Sequence, residues 1–223
     1  MLKSRKVLAT FTSIALIFGA LTYLLAWSSI FSVTTVSVTG APNMQAERAV
    51  LTIADIAAGE KIARVEPRAT ALRIESIDWI ASAAVSRSWV SGEVVISIKP
   101  RRPSALFNGQ TIDRGGAIFS LPGFVPQALP RISAPSTAAG LQALELYRVV
   151  PVTFQDQITS LTAFNESNFA ISLNYGGRAI RIQWGRNEES ALKVEVISAL
   201  LNLPENKKIR RIDVSAPHAP IVK

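Results

Sequence analysis

Residues 169–184 read FAISLNYGGRAIRIQW, a pattern that predicts a β-hairpin. Apolar and polar residues alternate on both sides of Gly176-Gly177, and a glycine pair is a common two-residue hairpin loop. With that loop, the large apolar residues face one another across the hairpin: Leu173 and Ile180, Ile171 and Ile182, and Phe169 and Trp184. They then share one face of the sheet, and a slip of one residue would lose this arrangement.

The residues after the hairpin predict a helix and two short strands. Residues 188–201 have the apolar spacing of an amphipathic helix. Residues 209–214, IRRIDV, predict a strand, in which the charged residue 213 lies between the apolar residues 212 and 214. Residues 219–223 form a last, short extended segment. Because no later element covers this segment, we expect an open sheet edge that could accept a strand from another chain.

The residues before the hairpin complete a mostly antiparallel β domain with flanking helices over residues 103–223. Short strands at 105–107 and 111–112 flank the hairpin turn Asn108-Gly109. A proline-rich loop is expected over residues 121–135. A helix over 137–149 and a strand over 158–164 follow it.

Residues 31–102 predict a second domain with a different order of elements. The first strand covers residues 31–39, FSVTTVSVT, and Asn43 can cap a helix over 44–56 that ends near Ala58-Gly59. A second helix is expected over 67–77, and two strands over 83–89 and 93–99. The order strand, helix, helix, strand, strand predicts a three-stranded sheet with two helices on one face, so the fold class is α+β.

The N-terminal residues predict a membrane anchor. Residues 7–46 carry no charge, and the charges before them, on Lys3, Arg5 and Lys6, are positive. The apolar run from residue 7 to 27 is long enough for a transmembrane helix, expected over 7–30, with the tail 1–6 in the cytoplasm. A signal peptide cleaved after residues 26–28 is the alternative, but its apolar core would be shorter. A buried core helix is a weaker one.

The composition excludes several classes of function. The chain has a formal net charge of +8, no Cys and a single His, His218, which leaves little material for a metal site or a His-based triad. The basic residues are dispersed, which argues against nucleic-acid binding. Asp113 and Asp213 are the best isolated acids, but both are typical of local hydrogen bonding. We therefore expect no enzyme activity, no catalytic or metal-binding residue, no cofactor and no small-molecule substrate.

Short sequence motifs follow one another in a set order along most of the chain. Their residues lie in the first strand, between the two helices, in the stretch around Trp79, at the domain junction, and in the closing helix and strand: Phe31, Val33, Val36, Val38, Gly40, Gly59, Val65, Ile77, Trp79, Ile80, Ala83, Val85, Arg87, Trp89, Ile96, Ile98, Arg101, Pro103, Ala105, Ile112, Asp113, Gly116, Phe119, Lys193, Leu200, Leu201, Ile212, Asp213 and Val214. The order of these motifs resembles that of the FtsQ family of cell division proteins, called DivIB in some lineages. The chain departs from the pattern at Val90, Pro100 and Ser215, where the family usually has Pro, Glu and Arg.

The resemblance implies a single-span scaffold of the bacterial divisome, with a membrane-proximal POTRA domain and a β domain outside the cytoplasm. It implies a position in the cell (inner) membrane at the division septum, and FtsB-like and FtsL-like partners. The FtsB-like partner would add a strand at the C-terminal edge. On that basis we expect six residues to contact partners: Ser215, Ala216, Ala219, Pro220, Ile221 and Val222. The three basic residues of the N-terminal tail would set the membrane orientation.

Two other functions remain open from the sequence. A POTRA-type envelope assembly or secretion factor would chaperone unfolded substrates, but neither tandem POTRA units nor a downstream barrel is apparent. A secreted wall hydrolase would need a nucleophile or metal constellation, and none is found.

Overall fold

The computed structural model describes residues 11–20, 22–23, 31–126 and 129–223. The predicted tail 1–6 lies outside these residues, as do parts of the predicted span 7–30; residues 11–20 and 22–23 are α-helical. Within the described residues, no helix has both the length and the apolar character needed to cross a membrane. The chain divides into two compact units, Met1–Arg101 and Arg102–Lys223.

The first unit contains a three-stranded sheet and two helices among its described residues. Its elements are β1 (Thr35–Thr39), α1 (Met44–Ala54), α2 (Pro67–Glu75), β2 (Ile80–Arg87) and β3 (Glu93–Pro100), with a 3-10 turn at Ile62–Arg64. The strand order is β1-β3-β2, with β1 parallel and β2 antiparallel to β3. The predicted order of elements and the α+β class are thereby confirmed.

Local sequence explains where these elements begin and how β3 is buried. The Asn43 side chain accepts a hydrogen bond from the Ala46 N–H at 2.9 Å, which confirms the predicted cap of α1. In the central strand β3, Val94, Ile96 and Ile98 are buried in alternation, as a strand with one covered face requires.

The predicted end of α1 near Gly59 is wrong. The helix stops at Asp55, which adopts the left-handed conformation with φ of 49° and donates its backbone N–H to the carbonyl of Leu51. Aspartate is one of the few residues other than Gly that enter this region without great strain, so no glycine is needed there.

The second unit is built on one large sheet, nine-stranded within the described residues. Its strands are β4 (Ala105–Phe107), β5 (Gln110–Ile112), β6 (Ile118–Phe119), β7 (Arg131–Ser133), β8 (Ile158–Asn165), β9 (Asn168–Tyr175), β10 (Arg178–Gly185), β11 (Arg211–Asp213) and β12 (Ile221–Val222). Their order in space is β12-β11-β10-β9-β8-β7-β4-β5-β6. The pairs β10–β11, β4–β7 and β7–β8 are parallel and the others antiparallel.

Helices and a 3-10 turn accompany this sheet. They are α3 (Thr137–Val149), α4 (Val152–Gln155), α5 (Ser190–Asn202) and a 3-10 turn at Pro204–Lys208. The predicted helix over 137–149 has the observed bounds of α3, whereas α5 begins two residues later than expected, after Glu189 in a left-handed conformation.

The hairpin of β9 and β10 has the predicted register over most of its length. Leu173 lies opposite Ile180 and Ile171 opposite Ile182, and all four side chains are buried. The predicted pairing of Phe169 with Trp184 is wrong, because a bulge between Gln183 and Gly185 places Gly185 opposite Phe169. Gly185 has φ of 70°, a conformation that suits glycine in a bulge.

Two short elements were not predicted. Strand β7 lies inside the stretch 121–135 that was expected to be loop, and α4 lies between the predicted helix and strand. A three-residue strand between β4 and β8 is too short to show an alternating pattern, and its neighbouring prolines favour a loop in a sequence analysis.

The apolar face of the large sheet and the helices share one core. Within it, Gly140 on α3 packs directly on Phe107 of β4, and a Cβ atom added at Gly140 would lie 2.6 Å from the ring. The helix can approach the sheet this closely because position 140 has no side chain.

This close approach predicts that Gly140→Ala destabilises the protein, although Ala is the better helix former. Ala would gain up to about 1 kcal/mol from helix propensity, whereas overpacking a core costs about 1–3 kcal/mol. We expect a net loss in the free energy of unfolding, measured by denaturant titration. The companion change Phe107→Leu should restore part of this loss in the double variant. Equal losses from Gly140→Ala with and without Phe107→Leu would contradict the proposed contact.

Candidate protein-binding edge

The structure places the predicted contact residues at one end of the large sheet. Ile221 and Val222 form β12, the terminal strand, and Pro220 precedes it, partly buried. The other three predicted residues, Ser215, Ala216 and Ala219, are exposed in the loop that joins β11 to β12. Lys3, Arg5 and Lys6 lie outside the described residues.

The hydrogen bonds of β12 show which backbone groups face outward. Arg211 and Lys223 exchange both of their backbone hydrogen bonds, at 3.0 and 2.9 Å. Ile212 and Val222 are the next pair in this antiparallel ladder, so they form a non-hydrogen-bonded pair. The N–H and C=O of Val222 therefore point away from β11, toward the outer edge of the sheet. No other strand of the described residues pairs with that side of β12.

The two faces of this sheet end differ sharply in polarity. On one face Ile182 and Ile212 are adjacent and fully buried. The opposite face carries a shallow cavity of about 480 Å³, and its lining is mostly charged or polar: Arg181, Gln183, Arg211, Asp213, Ile221 and Lys223. Ile221 is 56% exposed, so the edge combines an apolar side chain with a basic surface.

The loop before β12 is held in place by short-range contacts. The carboxylate of Asp213 accepts hydrogen bonds from the Ser215 N–H at 2.9 Å and from its hydroxyl at 2.6 Å. Pro217 is buried, and the imidazole of His218 lies 3.6 Å from the carboxylate of Glu189 at the start of α5. These contacts tie the edge strand to the helix beside it and give Asp213 a structural role.

Lys193, a buried residue of α5, stabilises the same end of the sheet. Its side chain is buried, and its ammonium donates hydrogen bonds to the carbonyls of Trp184 at 3.0 Å and Arg186 at 2.7 Å. The ammonium also lies 5.5 Å from the centre of the Trp184 ring. Burial lowers the pKa of Lys193, and the negative charges of Glu188 and Glu189 partly oppose that shift.

The acidic side chains of the described residues form no metal-binding group, and Asp113 has a local structural role. No group of three or more His, Asp or Glu side chains among them could hold a metal ion. The Asp113 carboxylate accepts hydrogen bonds from the N–H groups of Gly115 and Ala117, at 2.8 and 2.9 Å. Asp113 thus closes a turn, as its sequence context indicates.

Three features of the edge were not predicted from the sequence. Lys193 matches the family pattern, but nothing in the sequence says that it is buried. The outward direction of the Val222 backbone follows from the register between β11 and β12, which involves only two pairs. The bulge at Gly185 had one signal, a lone glycine at the end of a strand pattern.

Comparisons with known proteins give the same family for both parts of the chain. Residues 31–101 match the family model described as POTRA domain, FtsQ-type. The whole chain is similar to cell division protein FtsQ of Mycolicibacterium smegmatis, with 30% identity over 230 residues that cover 100% of this chain and 66% of that protein. It is also similar to FtsQ of Mycobacteroides abscessus, with 29% identity over 217 residues covering 94% and 67%. The chain thus spans about two thirds of the length of these relatives.

The contacts of Lys193 predict a large effect for Lys193→Met. The buried carbonyl of Trp184 and the partly buried carbonyl of Arg186 would lose their donor, and an unsatisfied buried group costs about 1–3 kcal/mol. We expect a loss of that size in the free energy of unfolding, measured by denaturant titration. Lys208→Met, at an exposed position, is the matched control and should change stability little. Equal effects of the two changes would contradict the role of Lys193.

The lowered pKa of Lys193 also predicts a pH dependence. Between the pKa of the folded protein and that of a free lysine, unfolding takes up a proton, so stability rises with pH. The difference in unfolding free energy between the unaltered protein and Lys193→Met should therefore increase as the pH approaches the ordinary pKa of lysine from below. Taking the difference removes the contribution of Tyr147, whose pKa is raised mainly by burial. A difference that falls over this range would contradict the prediction.

Proposed function

Because this chain belongs to the FtsQ family of cell division proteins, we propose that it is a membrane scaffold of the bacterial divisome. One span over residues 7–30 holds it in the cell membrane, with the basic N-terminal tail in the cytoplasm. Both compact units work outside the cytoplasm at the septum, where they connect early and late division proteins. The protein acts by binding and performs no chemistry.

The outward edge of β12 is the observation that carries this proposal. A strand from an FtsB-like partner pairs with β12 through the free N–H and C=O of Val222 and the carbonyl of Pro220. The missing N–H of Pro220 costs nothing here, because proline is tolerated on an edge strand. Main-chain pairing also explains how such a contact tolerates departures from the family sequence, such as Ser215.

The charges on the surface beside the edge indicate which side chains of a partner would fit there. Arg181, Arg211 and Lys223 outnumber the single acid, Asp213, whose carboxylate already accepts two hydrogen bonds from Ser215. An incoming strand with acidic side chains on this face and an apolar side chain over Ile221 fits best. In this proposal an FtsL-like protein joins the complex together with the FtsB-like partner.

Depletion of the protein in cells tests the division role directly. Placing the gene under a repressible promoter should produce filaments without septa, and re-expression should restore division. Normal septation after depletion would refute the division role. Restoration by the unaltered chain confirms that the filaments arise from the loss of this protein.

A single substitution tests strand addition at the edge. Val222→Pro removes the outward N–H but leaves the bonds between β11 and β12, which use the neighbouring residues. We expect it to weaken binding of the FtsB-like partner by about tenfold or more, corresponding to about 1.4 kcal/mol, in a pull-down or titration with the detergent-solubilised full chain. Val222→Thr keeps the N–H and the branched shape, so it should bind normally. Undiminished binding by Val222→Pro would refute strand addition at this edge.

A further inference from the structure

The turn between β2 and β3 exposes two large apolar side chains. Val90 is 98% exposed and Trp89 is 38% exposed. A single exposed apolar residue on a protein surface needs no explanation. An adjacent exposed Trp and Val at the tip of a turn are less usual. What they can contact depends on where the turn lies in the first unit.

The turn lies at the end of the sheet where the chain enters the first unit. Strands β1 and β3 are parallel, with Thr35 opposite Glu93, so the residues before β3 lie level with those before β1. The backbone N–H of Thr34 donates to the carbonyl of Gly92 at 2.8 Å, and its hydroxyl donates to the carbonyl of Ser91 at 2.9 Å. The turn is therefore bound directly to the segment that follows the proposed membrane span.

The turn cannot swing away from this segment. Its two ends are joined by hydrogen bonds from Ser88 N–H to the carbonyl of Glu93 and from Gly92 N–H to the carbonyl of Ser88, at 2.8 and 3.0 Å. Gly92 has φ of 72°, and a Cβ atom there would lie 2.6 Å from the carbonyl oxygen of Ser32. Such close packing fixes the direction in which the tip points.

Arg87 orients the ring of Trp89. The guanidinium lies 4.8 Å from the centre of the ring, a cation–π contact that covers one side of it. The same guanidinium donates hydrogen bonds to the carbonyls of Ile62, Ala63 and Val65, so it is itself held in place. With this contact in place, Trp89 is still partly exposed next to Val90.

The length of the chain keeps this tip close to the bilayer. Three residues, 31–33, lie between the end of the proposed span at residue 30 and Thr34, so the Cα atoms of residues 30 and 34 can be at most about 14 Å apart. Each interfacial layer of a bilayer is about 5–8 Å thick, and Trp is one of the side chains enriched in that layer. A tip that is fixed to Thr34 thus lies within reach of the lipid surface.

We propose that Trp89 and Val90 form a second membrane contact, inserted into the extracytoplasmic interfacial layer beside the span. The inference rests on the proposed span, which brings residues 32–34 to the membrane. With two separated contacts, the first unit has a defined orientation on the membrane and does not rotate freely about one tether. The occupant of this surface is lipid. If a protein partner occupied it instead, spin-labelled lipids would not quench a dye at the tip.

Site-directed fluorescence in vesicles tests this proposal. The chain contains no Cys, so Ser91→Cys provides a single labelling site at the tip without altering Trp89 or Val90. The full chain, labelled with a polarity-sensitive dye, is reconstituted into vesicles of phosphatidylethanolamine and phosphatidylglycerol that contain lipids spin-labelled near the headgroup. Gln45→Cys is the matched control, because it is exposed and follows β1 at the other end of the sheet.

We expect blue-shifted emission and several-fold stronger quenching at position 91 than at position 45. Adding Trp89→Ser and Val90→Ser to the Ser91→Cys variant should reduce quenching to the level of position 45. Flotation of that variant with the vesicles should persist, because the span alone holds it there. Circular dichroism of each variant verifies that the fold is retained.

Three outcomes would overturn the proposal, and they separate its failure from that of the span. If the chain floats with the vesicles but position 91 is quenched no more than position 45, the tip does not touch lipid. A protein partner is then the alternative occupant of the tip. If quenching at position 91 survives the two serine substitutions, Trp89 and Val90 are not the inserting residues. If the chain does not float, the proposed span fails and the second contact fails with it.

Discussion

The register of β9 against β10 is the constraint on which the second unit depends. It places Ile171 and Leu173 with their partners Ile182 and Ile180 on one face, so that face must be covered by helices. A shift of one residue would bring Arg181 into the core, and burying an unpaired charge costs far more than any single apolar contact returns. Strand β11 then takes its register from β10, and β12 takes its register from β11. Because each register depends on the one before it, these pairings together determine that the N–H and C=O of Val222 point outward.

The bulge at Gly185 is the one place where this hairpin departs from regular pairing, and the candidate edge is built around it. Lys193 satisfies the carbonyls of Trp184 and Arg186 on either side of the bulge. A Cβ atom at Gly185 would come within 2.8 Å of the side chain of Ser215, so the absence of a side chain there makes room for the loop that leads to β12. The same irregularity thus accounts for a buried cation and for the path of the chain to the edge.

The sequence was most informative where one pattern dominates a long segment. The alternation in residues 169–184 was sufficient to predict the hairpin and most of its register. The apolar spacing in residues 137–149 was sufficient to predict the bounds of α3. Short elements such as β7 could not be predicted, because three residues acquire strand structure only from their neighbours β4 and β8. The position of Val222 at the edge was expected. The direction of its backbone groups required the hydrogen bonds of Arg211 and Lys223, which no residue pattern encodes.

The parallel pairing of β1 with β3 has a mechanical consequence if the chain is held between a membrane and its partners, as proposed. In the proposed arrangement, tension from the span would act on the start of β1, whereas tension from the second unit would act on the end of β3, at the opposite end of the sheet. The two strands are therefore pulled past each other lengthwise, and the ladder from Thr35 to Thr39 is loaded in shear, with all of its hydrogen bonds strained together. A strand pair pulled apart from one end would break its bonds one at a time. In the proposed role, this topology would let a three-stranded sheet transmit force between a constricting membrane and bound partners, because no single hydrogen bond would carry the load alone.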